Sequence, residues 1–461
     1  MTYKFDNHRI SIALEKAKDT KYVYIDQGLL FEVNSIFAQC FGEKKAVVIA
    51  DENTFAVAGK RVYEQLKLHD QIEGEPFIFP IEPMLYAEYP NVLLLEEFIK
   101  SHDAIPVVVG SGTLNDLTKL ASFRCNKPYM IIATAASMDG YTAYGAAITK
   151  EGFKQTIPCS APNVVLIDLD VIVKAPLRLT ASGYGDLLGK ITAGADWVIA
   201  DHLGIDPIDD HAWALVQDSL RDAIDKPQLL KMGDVSSFGR LIEGLILCGL
   251  SMQAIQASRP ASGSEHQFSH LWEMYETVHG VVSHGFKVGI GSIASAALYE
   301  QVLARNFQIL NVSKVCAEWP NRSKVQAEVR NSFSDSRIAQ EAVNHSMAKY
   351  IDSEPLASRL EMIKETWPSL KEKLERQLLS ASKIFDLLLE SGCPVHPTQI
   401  GYGLPHLKAS YFLARKIRSR YTIFDFAAET GCFGECVDEL FKTEGFWGKH
   451  PYDKEKYRKI I

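Results

Sequence analysis

The pattern of apolar and polar positions changes character along the chain. In the first 175 or so residues, several short runs are apolar at every position, as in parallel strands covered on both faces. Helical patterns lie between these runs, for example at Phe55–Lys67 and Leu114–Arg124. Such alternation of strand and helix indicates a parallel-sheet α/β domain. The four predicted strands are Ala46–Ala50, Pro106–Val109, Tyr129–Ala133 and Val164–Ile167.

After about Pro176 the pattern becomes long helical periodicity, with helix-capping residues and first-turn prolines such as Asp335, Ser353 and Pro368. We therefore predict two parts, an α/β domain over residues 1–175 and an all-helical domain over residues 176–461. The helices predicted in the second part are Ser182–Asp201, Pro207–Ala223, Ser236–Ala257, Phe268–His279, Gly291–Arg305, Asp335–Tyr350, Pro355–Ile363, Pro368–Leu389, Pro405–Ser419 and Phe424–Thr430.

Composition narrows the class of protein. Of 461 residues, 47% are hydrophobic and 23% are charged, which is typical of a globular chain. The 49 Lys and Arg against 57 Asp and Glu leave a net charge of −8, so we expect no nucleic-acid partner. The longest uncharged apolar stretch, Gly244–Ser258, is shorter than the roughly 20 residues that a membrane span needs. The N-terminus lacks the apolar segment of a secretory signal, so we expect a cytoplasmic protein.

The cysteines do not form a recognisable framework. There are eight in 461 residues, and none is spaced as a CxxC pair. Cys432 and Cys436 are four residues apart, which places them on one face of a helix. We interpret all eight as reduced and mostly buried thiols rather than as disulfides or metal ligands.

The clearest nucleotide-binding signal lies in the segment VVVGSGTLND, residues 107–116. A buried strand leads into Gly110 and Gly112, and a helix begins at about Thr113. Glycines at such a junction let the backbone approach a phosphate, which the helix N-terminus attracts. The motif is GxGxxN rather than GxGxxG, and no acidic residue follows at the usual distance. Asp51, at the end of an earlier strand, is the candidate to hold the adenine ribose.

Two further segments carry polar residues that suit a site. One follows a predicted strand, and the other lies at a predicted helix start. The segment ATAASMDGYTAY, residues 133–144, follows a predicted strand and suits a cofactor loop, although its Asp139-Gly140 pair is also good turn chemistry. In ASGYGDLLGK, residues 181–190, Asp186 stands early in an apolar helix. A carboxylate there either stabilises the helix dipole or serves a site.

Four of the 13 histidines fall within 19 residues, at positions 266, 270, 279 and 284. His266 and His270 are four residues apart on one helix face, as in a two-histidine metal site, and no HExxH motif is present. A carboxylate with imidazoles and an open position is the pattern of a catalytic metal, and Asp186 is the natural carboxylate candidate. Spacing alone does not decide whether His270 or His284 completes the site.

In chain order, the motifs GSGTLND, TAASMDG, GYGD, SGSEHxxSH and SHGxKVGIG resemble the sn-glycerol-1-phosphate dehydrogenase family. That family belongs to the superfamily of dehydroquinate synthases and iron-containing alcohol dehydrogenases. The resemblance covers about residues 10–440, and the segment 397–431 resembles the bacterial branch. It implies a Rossmann-like nucleotide-binding domain over residues 1–175 and an all-helical metal- and substrate-binding domain over residues 176–461.

The resemblance also implies roles for individual residues. Asp186, His266 and His284 would bind one divalent metal ion, with zinc, nickel and iron all suitable for such donors. Asp139, Asp186 and His270 would contact the substrate, with Asp186 and His270 as catalytic residues, and His279 would be structural. Together with Asp51, the cofactor-binding residues would be Gly112, Thr113, Leu114, Asn115, Asp116, Thr134, Ala135, Ala136, Ser137 and Ala143.

The implied reaction is the interconversion of dihydroxyacetone phosphate and sn-glycerol 1-phosphate with NAD(H) or NADP(H), by a homodimer. A phosphorylated three-carbon substrate needs cations, and Lys190, Arg259 and Lys287 flank the metal motifs. Asp51 favours NADH, because a carboxylate repels a 2′-phosphate. The alternatives are a related polyol dehydrogenase, a dehydroquinate synthase-like enzyme, and a catalytically silent nucleotide-binding regulator.

Overall fold

A computed structural model describes residues 8–151, 153–274 and 282–453. Within these residues the chain divides into two compact units. One comprises residues 8–187, 210–261 and 282–285, and the other comprises residues 188–209, 262–274 and 286–453. These units are defined by packing, whereas the boundary expected between residues 175 and 176 came from the change in hydrophobic pattern, so that boundary stays a prediction.

The first unit is built around a parallel sheet. Six described strands pair in the order β1-β8-β5-β4-β2-β3, and β6 and β7 form a separate antiparallel hairpin. Every pair within the six-stranded sheet is parallel, which confirms the predicted α/β fold class. The strands are β1 Tyr22–Asp26, β2 Ala46–Asp51, β3 Phe77–Phe79, β4 Ile105–Gly110, β5 Met130–Ala133, β6 Ala146–Lys150, β7 Phe153–Ile157 and β8 Val164–Asp168.

All four strands predicted from apolar runs are present, as β2, β4, β5 and β8, and their described side chains are almost all buried. The pattern missed the two edge strands, β1 and β3, because an edge strand is only partly covered. It also missed the hairpin of β6 and β7, which lies outside the main sheet.

Seven helices are described before residue 176, and two of them, α2 and α4, pack on one sheet face around Phe37 and Val62. A π-helical stretch, Phe55–Gly59, joins α3 to α4 into the one helical segment that the sequence predicted. The helices are α1 His8–Lys16, α2 Val33–Phe41, α3 Glu52–Thr54, α4 Lys60–Leu68, α5 Tyr89–Lys100, α6 Gly112–Arg124 and α7 Leu169–Ile172.

From residue 177 to the end of the described chain, the regular elements are all helical, as predicted. The helices are α8 Leu177–Leu188, α9 Lys190–His202, α10 Asp210–Gln217, α11 Leu220–Ile224, α12 Gln228–Lys231, α13 Val235–Ile255, α14 Ser264–Met274, α15 His284–Leu303, α16 Val312–Glu318, α17 Arg322–Asn331, α18 Ser336–Ala348, α19 Ser353–Gln377, α20 Ala381–Ser391, α21 Leu404–Ala414, α22 Ile423–Glu429, α23 Phe433–Phe441 and α24 Phe446–Lys449.

One described helix, α13, is long and apolar enough to cross a membrane by length and composition. About 78% of its most apolar window is buried inside the fold, which is typical of a core helix. Its Gln253 accepts a hydrogen bond from the backbone N–H of Thr20, so α13 packs on the sheet-bearing unit. All eight cysteines are free, and five of them are buried, as the sequence indicated.

The structure corrects several predicted helix boundaries. The helix expected over Pro207–Ala223 is two helices, α10 and α11, and the one expected over Pro368–Leu389 is divided between the end of α19 and α20. The single helix expected over Ser182–Asp201 is two helices that meet at Gly189, and the break expected before Pro368 is absent. Instead α19 runs through this proline as one helix of 25 residues. A continuous apolar stripe explains this, because residues on both sides of Pro368 are buried: Leu356, Leu360, Ile363, Trp367, Leu370 and Leu374. Packing of this stripe offsets the cost of a proline in a helix interior.

This arrangement predicts that Pro368→Ala stabilises the protein. Residue 368 is exposed, and the N–H of an alanine there can donate a hydrogen bond to the carbonyl of residue 364. Regaining this bond and removing the clash of the proline ring should stabilise the folded state by about 3 kcal/mol. The greater freedom of the unfolded chain should offset roughly 1 kcal/mol of that gain. We expect a net gain of about 2 kcal/mol in the free energy of unfolding, measured by urea denaturation. Pro355→Ala is the matched control, because Pro355 lies in the first turn of α19, where no hydrogen bond is regained. Equal effects of the two substitutions would contradict this account.

Candidate metal and cofactor site

The carboxyl ends of β2 and β4 lie side by side at the point where the strand order reverses. From β2 the chain continues outward to β3, and it then returns to place β4 on the other side of β2. The register pairs Ile49 with Val108, so Asp51 and Gly110 end their strands at the same level. Ligands of open parallel sheets bind at such a reversal. The structure therefore brings together Asp51 and the glycine turn, which are about 60 positions apart in the sequence.

The glycine turn is shaped for close approach by a ligand. Helix α6 begins at Gly112, and the side chain of its N-cap residue, Ser111, makes no capping hydrogen bond. A Cβ atom at Gly112 would lie 2.9 Å from Cε of Met138, so the side chain of Met138 covers this position. The first-turn N–H groups of Gly112, Thr113 and Leu114 are those that an anion would use.

Asn115 and Asp116 use their side chains inside the protein. Asn115 Oδ1 accepts a hydrogen bond from the Tyr129 hydroxyl, at 3.0 Å, and its Nδ2 donates to the Tyr141 carbonyl, at 3.4 Å. Asp116 forms an ion pair with the buried amine of Lys119, at 3.5 Å. These side chains position the turn and the loop that follows β5, so the cofactor contacts expected of the two residues stay predictions.

Lys119 holds the loop after β5 in place. Its buried Nζ donates to the carbonyls of Gly140, Ala143 and Gly145, at 2.9, 2.9 and 3.1 Å. Three hydrogen bonds and an ionic partner satisfy a charge that would otherwise be costly to bury. The loop that carries Asp139 and the predicted cofactor residue Ala143 is thereby fixed to α6.

The segment Thr134–Ser137 follows β5 directly and is buried. The Thr134 N–H donates to the Gly110 carbonyl, at 3.1 Å, and the Tyr141 hydroxyl donates to the Ala135 carbonyl, at 2.6 Å. Both bonds fix the segment beside the glycine turn. Of the predicted cofactor residues, Thr134, Ala135, Ala136 and Ser137 therefore lie at the same sheet edge as Gly112.

Asp51 has a structural role as well as the predicted one. It is the N-cap of α3, and its Oδ1 accepts a hydrogen bond from the Thr54 N–H, at 2.8 Å. The Thr54 hydroxyl lies 3.1 Å from the Asp51 N–H, which completes a capping box. The cap fixes the carboxylate at the end of β2 and engages one of its two oxygens.

Asp186, His266 and His284 form a candidate metal centre. Each offers one ligand atom, and these atoms all lie within 4.8 Å of one another. Asp186 and His266 are buried, and His284 is half-buried. Ligands at about 2.0–2.2 Å from a zinc ion would be about 3–4 Å apart, so the spacing is close to that of a loaded site. One carboxylate and two imidazoles suit a divalent transition metal.

The carboxylate of Asp186 is oriented by the backbone of the loop after β5. Its Oδ2 accepts a hydrogen bond from the Asp139 N–H, at 3.0 Å, and the side chain is fully buried. The backbone of Asp139, the predicted substrate residue, is thus hydrogen-bonded directly to the predicted metal ligand Asp186. The loop that Lys119 fixes also fixes Asp186.

His284 reaches Asp186 because two helices approach very closely. A Cβ atom at Gly285 would lie only 1.8 Å from the carbonyl oxygen of Ser182, one turn before Asp186. No side chain fits there, so Gly285 allows the start of α15 to lie against α8. This contact requires glycine directly after the histidine.

His266 is held by its sequence neighbour. The Nδ1 atom of His266 lies 2.8 Å from Oε1 of Glu265, whose side chain is fully buried. Burial of Glu265 opposes its ionisation, but the hydrogen bond from His266 prevails and its pKa is lowered. Nearby Asp196 has its pKa raised to about 6, first by burial and then by the negative charge of Glu265.

His270 lies beside the ligand group but is not part of it. Its ring centroid is 6.1 Å from that of His266, and its Nδ1 is 3.6 Å from Oε2 of Glu273. Burial, with a smaller contribution from the charge of Arg418, lowers the pKa of His270 to about 3. It is therefore a neutral imidazole at physiological pH. His279, expected to be structural, lies outside the described residues.

The three cations suggested for substrate phosphate are all buried. Lys190, Arg259 and Lys287 are at most 3% exposed, which excludes a surface role. Lys287 Nζ is 3.9 Å from Oε1 of Glu273, the residue that also faces His270.

Sequence reasoning missed Glu265, Glu273 and Arg418. Only Glu265 carried a usable signal, since it directly precedes a candidate ligand in SGSEH. Glu273 lies one turn after His270 on α14, and Arg418 is brought to His270 by packing of a distant segment.

Comparisons with known proteins indicate the family of this chain. The family model of iron-containing alcohol dehydrogenases matches residues 24–176. A Bacillus licheniformis glycerol-1-phosphate dehydrogenase [NAD(P)+] is 32% identical over 68% of this chain and 80% of its own length. A Pyrococcus furiosus enzyme of the same name is 30% identical, over 60% of this chain and 78% of its own length. The chain belongs to the glycerol-1-phosphate dehydrogenase family. A Bacillus velezensis relative is 34% identical, and the match spans 66% of its length.

Solved structures confirm the two-part fold of this family member. A glycerol dehydrogenase from Schizosaccharomyces pombe has a TM-score of 0.55 at 16% identity, and it covers 94% of this chain and 93% of its own. A sulfoacetaldehyde reductase from Bifidobacterium kashiwanohense in complex with NAD+ has a TM-score of 0.54 at 14% identity, over 94% and 98% of the two chains. The class expected from the sequence, an NAD(P)-dependent alcohol dehydrogenase, is confirmed at the level of the family.

The ligand group predicts which variants lose metal. His266→Ala and His284→Ala each remove one of three donors, so both should lose most of the Zn²⁺ that the purified protein retains after dialysis. His270→Ala is the control and should keep it, because His270 lies outside the group. Metal content is measured by inductively coupled plasma mass spectrometry. Full occupancy in His284→Ala, or loss in His270→Ala, would show that His270 is the third ligand.

Proposed function

We propose that this protein interconverts dihydroxyacetone phosphate and sn-glycerol 1-phosphate with NAD(H) or NADP(H). One observation carries the proposal: the approach of Asp186, His266 and His284 to within 4.8 Å, in a chain of this family. A carboxylate and two imidazoles leave a divalent ion with a net charge near +1 and an open position, as in catalytic sites. Zinc, nickel and iron(II) all fit this donor set.

A metal ion bound by these residues would supply Lewis-acid polarisation of the alcohol or ketone oxygen of the substrate. The chain itself orients the donors. The Asp139 N–H donates to Oδ2 of Asp186, and Oε1 of Glu265 lies 2.8 Å from Nδ1 of His266. These hydrogen bonds fix both side chains before any ligand binds, which favours the correct geometry.

Neutral His270 is suited to a hydrogen bond with the substrate. Because its pKa is lowered to about 3, it carries no charge above about pH 4 and can both donate and accept. Asp139 is half-buried and stands next to Asp186 through its backbone. We therefore assign substrate contacts to Asp139, Asp186 and His270. His270 would make its contact from α14.

The substrate phosphate would bind near the positive charges around His270. Lys287 and Arg418 both interact with Glu273, which lies within 3.6 Å of His270. Burial lowers the pKa of Arg418, as expected for a guanidinium kept from water. A dianionic phosphate would add a second counter-charge to the one that Glu273 provides. Lys190 and Arg259 are further buried candidates.

The dinucleotide would lie along the carboxyl ends of β2, β4 and β5, with its phosphates at the start of α6 and its ribose at Asp51. The absence of a side-chain capping bond from Ser111 supports this placement. A homodimer located in the cytoplasm remains the expectation from the sequence.

The test of the proposed function is oxidation of NADH, followed at 340 nm, with dihydroxyacetone phosphate as substrate. The protein is first depleted with a chelator and then reloaded with Zn²⁺, Ni²⁺ or Fe²⁺. We expect no turnover without metal, and restored turnover at least tenfold faster with dihydroxyacetone phosphate than with dihydroxyacetone or unphosphorylated sugars. A preference for an unphosphorylated polyol would favour the related polyol dehydrogenase. Tight NADH binding without turnover on any substrate would favour the nucleotide-binding regulator.

Asp51 predicts the choice of cofactor. Two unit charges about 4 Å apart in water repel by about 1 kcal/mol, so NADH should be preferred to NADPH by at least roughly fivefold in kcat/KM. Asp51→Ser should reduce this preference for NADH over NADPH, since serine keeps the helix cap but removes the charge. Thr54→Val is the control, because it breaks the capping box and leaves the carboxylate in place. If Thr54→Val reduces this preference as much as Asp51→Ser, the charge of Asp51 is not what selects the cofactor.

A further inference from the structure

Glu265 is a fully buried carboxylate whose two oxygens are both engaged by hydrogen-bond donors. Its Oε1 accepts from the Gly263 N–H, at 2.6 Å, and lies 2.8 Å from Nδ1 of His266. Its Oε2 lies 2.8 Å from the hydroxyl of Thr192 on α9. An ionised carboxylate only accepts hydrogen bonds, so it fits three donors without leaving one unpaired. A buried charge without such partners would be strongly destabilising.

The contact with Glu265 decides which ring nitrogen of His266 carries the proton. Since Oε1 can only accept, the proton of His266 lies on Nδ1, and the lone pair lies on Nε2. The same bond fixes the rotation of the ring. A histidine without this partner would divide between two tautomers and several ring orientations, and only part of that population could bind a metal.

The backbone around Glu265 is equally constrained. A Cβ atom at Gly291 would lie 2.4 Å from the carbonyl oxygen of Glu265, so α15 touches the start of α14. On the other side, Asp196 accepts a hydrogen bond from the Ser264 N–H, at 2.6 Å, and another from the Tyr299 hydroxyl, at 2.7 Å. Glu265 therefore has little freedom to move away from His266.

We propose that Glu265 is a positioning residue that sets the tautomer and orientation of His266, and thereby the affinity of the protein for its divalent metal. The inference rests on the proposed metal centre but not on the identity of the substrate. A purely structural role is the competing explanation, because Glu265 also accepts the Gly263 N–H at the beginning of α14.

Two substitutions at this position separate orientation from charge. Glu265→Gln can place its amide oxygen where Oε1 now accepts from Gly263 and His266, and its NH2 group towards Thr192, whose hydroxyl can instead donate to the Gly189 carbonyl. Glu265→Gln therefore removes the negative charge but keeps the hydrogen bond that orients the ring of His266. Glu265→Leu removes both. Thr192→Val is the matched control, because it removes a neighbour of Oε2 and leaves the Nδ1 contact intact.

The measurement is the dissociation constant for Zn²⁺ of each metal-depleted protein, by competition with a chromophoric chelator, with no substrate or NADH present. Loss of an outer partner of a metal-binding histidine weakens binding 10- to 100-fold. We expect a loss in this range for Glu265→Leu, a smaller loss for Glu265→Gln and little change for Thr192→Val. The visible spectrum of the Co²⁺-loaded proteins should change for Glu265→Leu and stay unchanged for Thr192→Val. Thermal unfolding of the metal-free proteins shows whether each variant is folded.

Two results would overturn the proposal. One is wild-type Zn²⁺ affinity in Glu265→Gln together with wild-type affinity in a folded Glu265→Leu. The other is a Thr192→Val variant that loses as much affinity as Glu265→Gln, which would indicate a general packing effect. If the wild-type protein binds no Zn²⁺, Ni²⁺, Co²⁺ or Fe²⁺, the inference fails with the metal centre. If it binds metal as described but does not reduce dihydroxyacetone phosphate, only the proposed function fails.

Discussion

The candidate site depends on one constraint: polar groups buried together must each have a partner, or they destabilise the fold. Asp186 and Glu265 are fully buried carboxylates; Asp186 accepts the Asp139 N–H, and Glu265 accepts the Gly263 N–H. Lys119 is a fully buried cation surrounded by carbonyl acceptors. These bonds make the polar interior stable, and they also orient the atoms that a metal or substrate would meet. Stability and preorganisation therefore come from the same contacts.

Backbone proximity is the second requirement. His284 follows a helix contact in which a Cβ atom at Gly285 would lie 1.8 Å from a carbonyl oxygen, and α15 later touches Glu265 through Gly291. Glycine is needed at both positions because any side chain would push the helices apart. The histidine motifs therefore include glycines for steric reasons. The ligands themselves come from three helices, α8, α14 and α15.

Much of the fold could be predicted from the sequence because buried strands and long helices leave strong patterns. The core strands β2, β4, β5 and β8 were recognised from uninterrupted apolar runs. Edge strands were missed because partial exposure weakens the pattern, as in the half-exposed alternation of β1. Pro368 was misinterpreted as a helix start, because a local rule cannot see the buried stripe that extends on both sides of it.

Part of the candidate site could likewise be predicted from the sequence, and part of it could not. Histidine clustering and Asp186 pointed to a metal, although Asp186 lies in the last turn of α8 and not early in a helix as the sequence suggested. Spacing could not choose between His270 and His284. That choice needs three-dimensional proximity, which groups His284 with Asp186 and His266 and leaves His270 beside Glu273. Asp51 and Gly110 are distant in sequence, and their alignment needs the strand order of the sheet. Arg418 could not be found from sequence, because it reaches His270 from the connection between α21 and α22, about 150 residues later.

The central claim is that Asp186, His266 and His284 bind one divalent metal ion through a single oxygen and two Nε2 or Nδ1 atoms. The most direct test is an anomalous difference map from crystals of the Zn²⁺-loaded protein, with data collected on both sides of the zinc absorption edge. The account predicts one strong peak within about 2.0–2.2 Å of a carboxylate oxygen of Asp186 and one nitrogen each of His266 and His284. It further predicts that the bound nitrogen of His266 is Nε2. A peak bound by His270 instead of His284, or no peak at these residues, would contradict it.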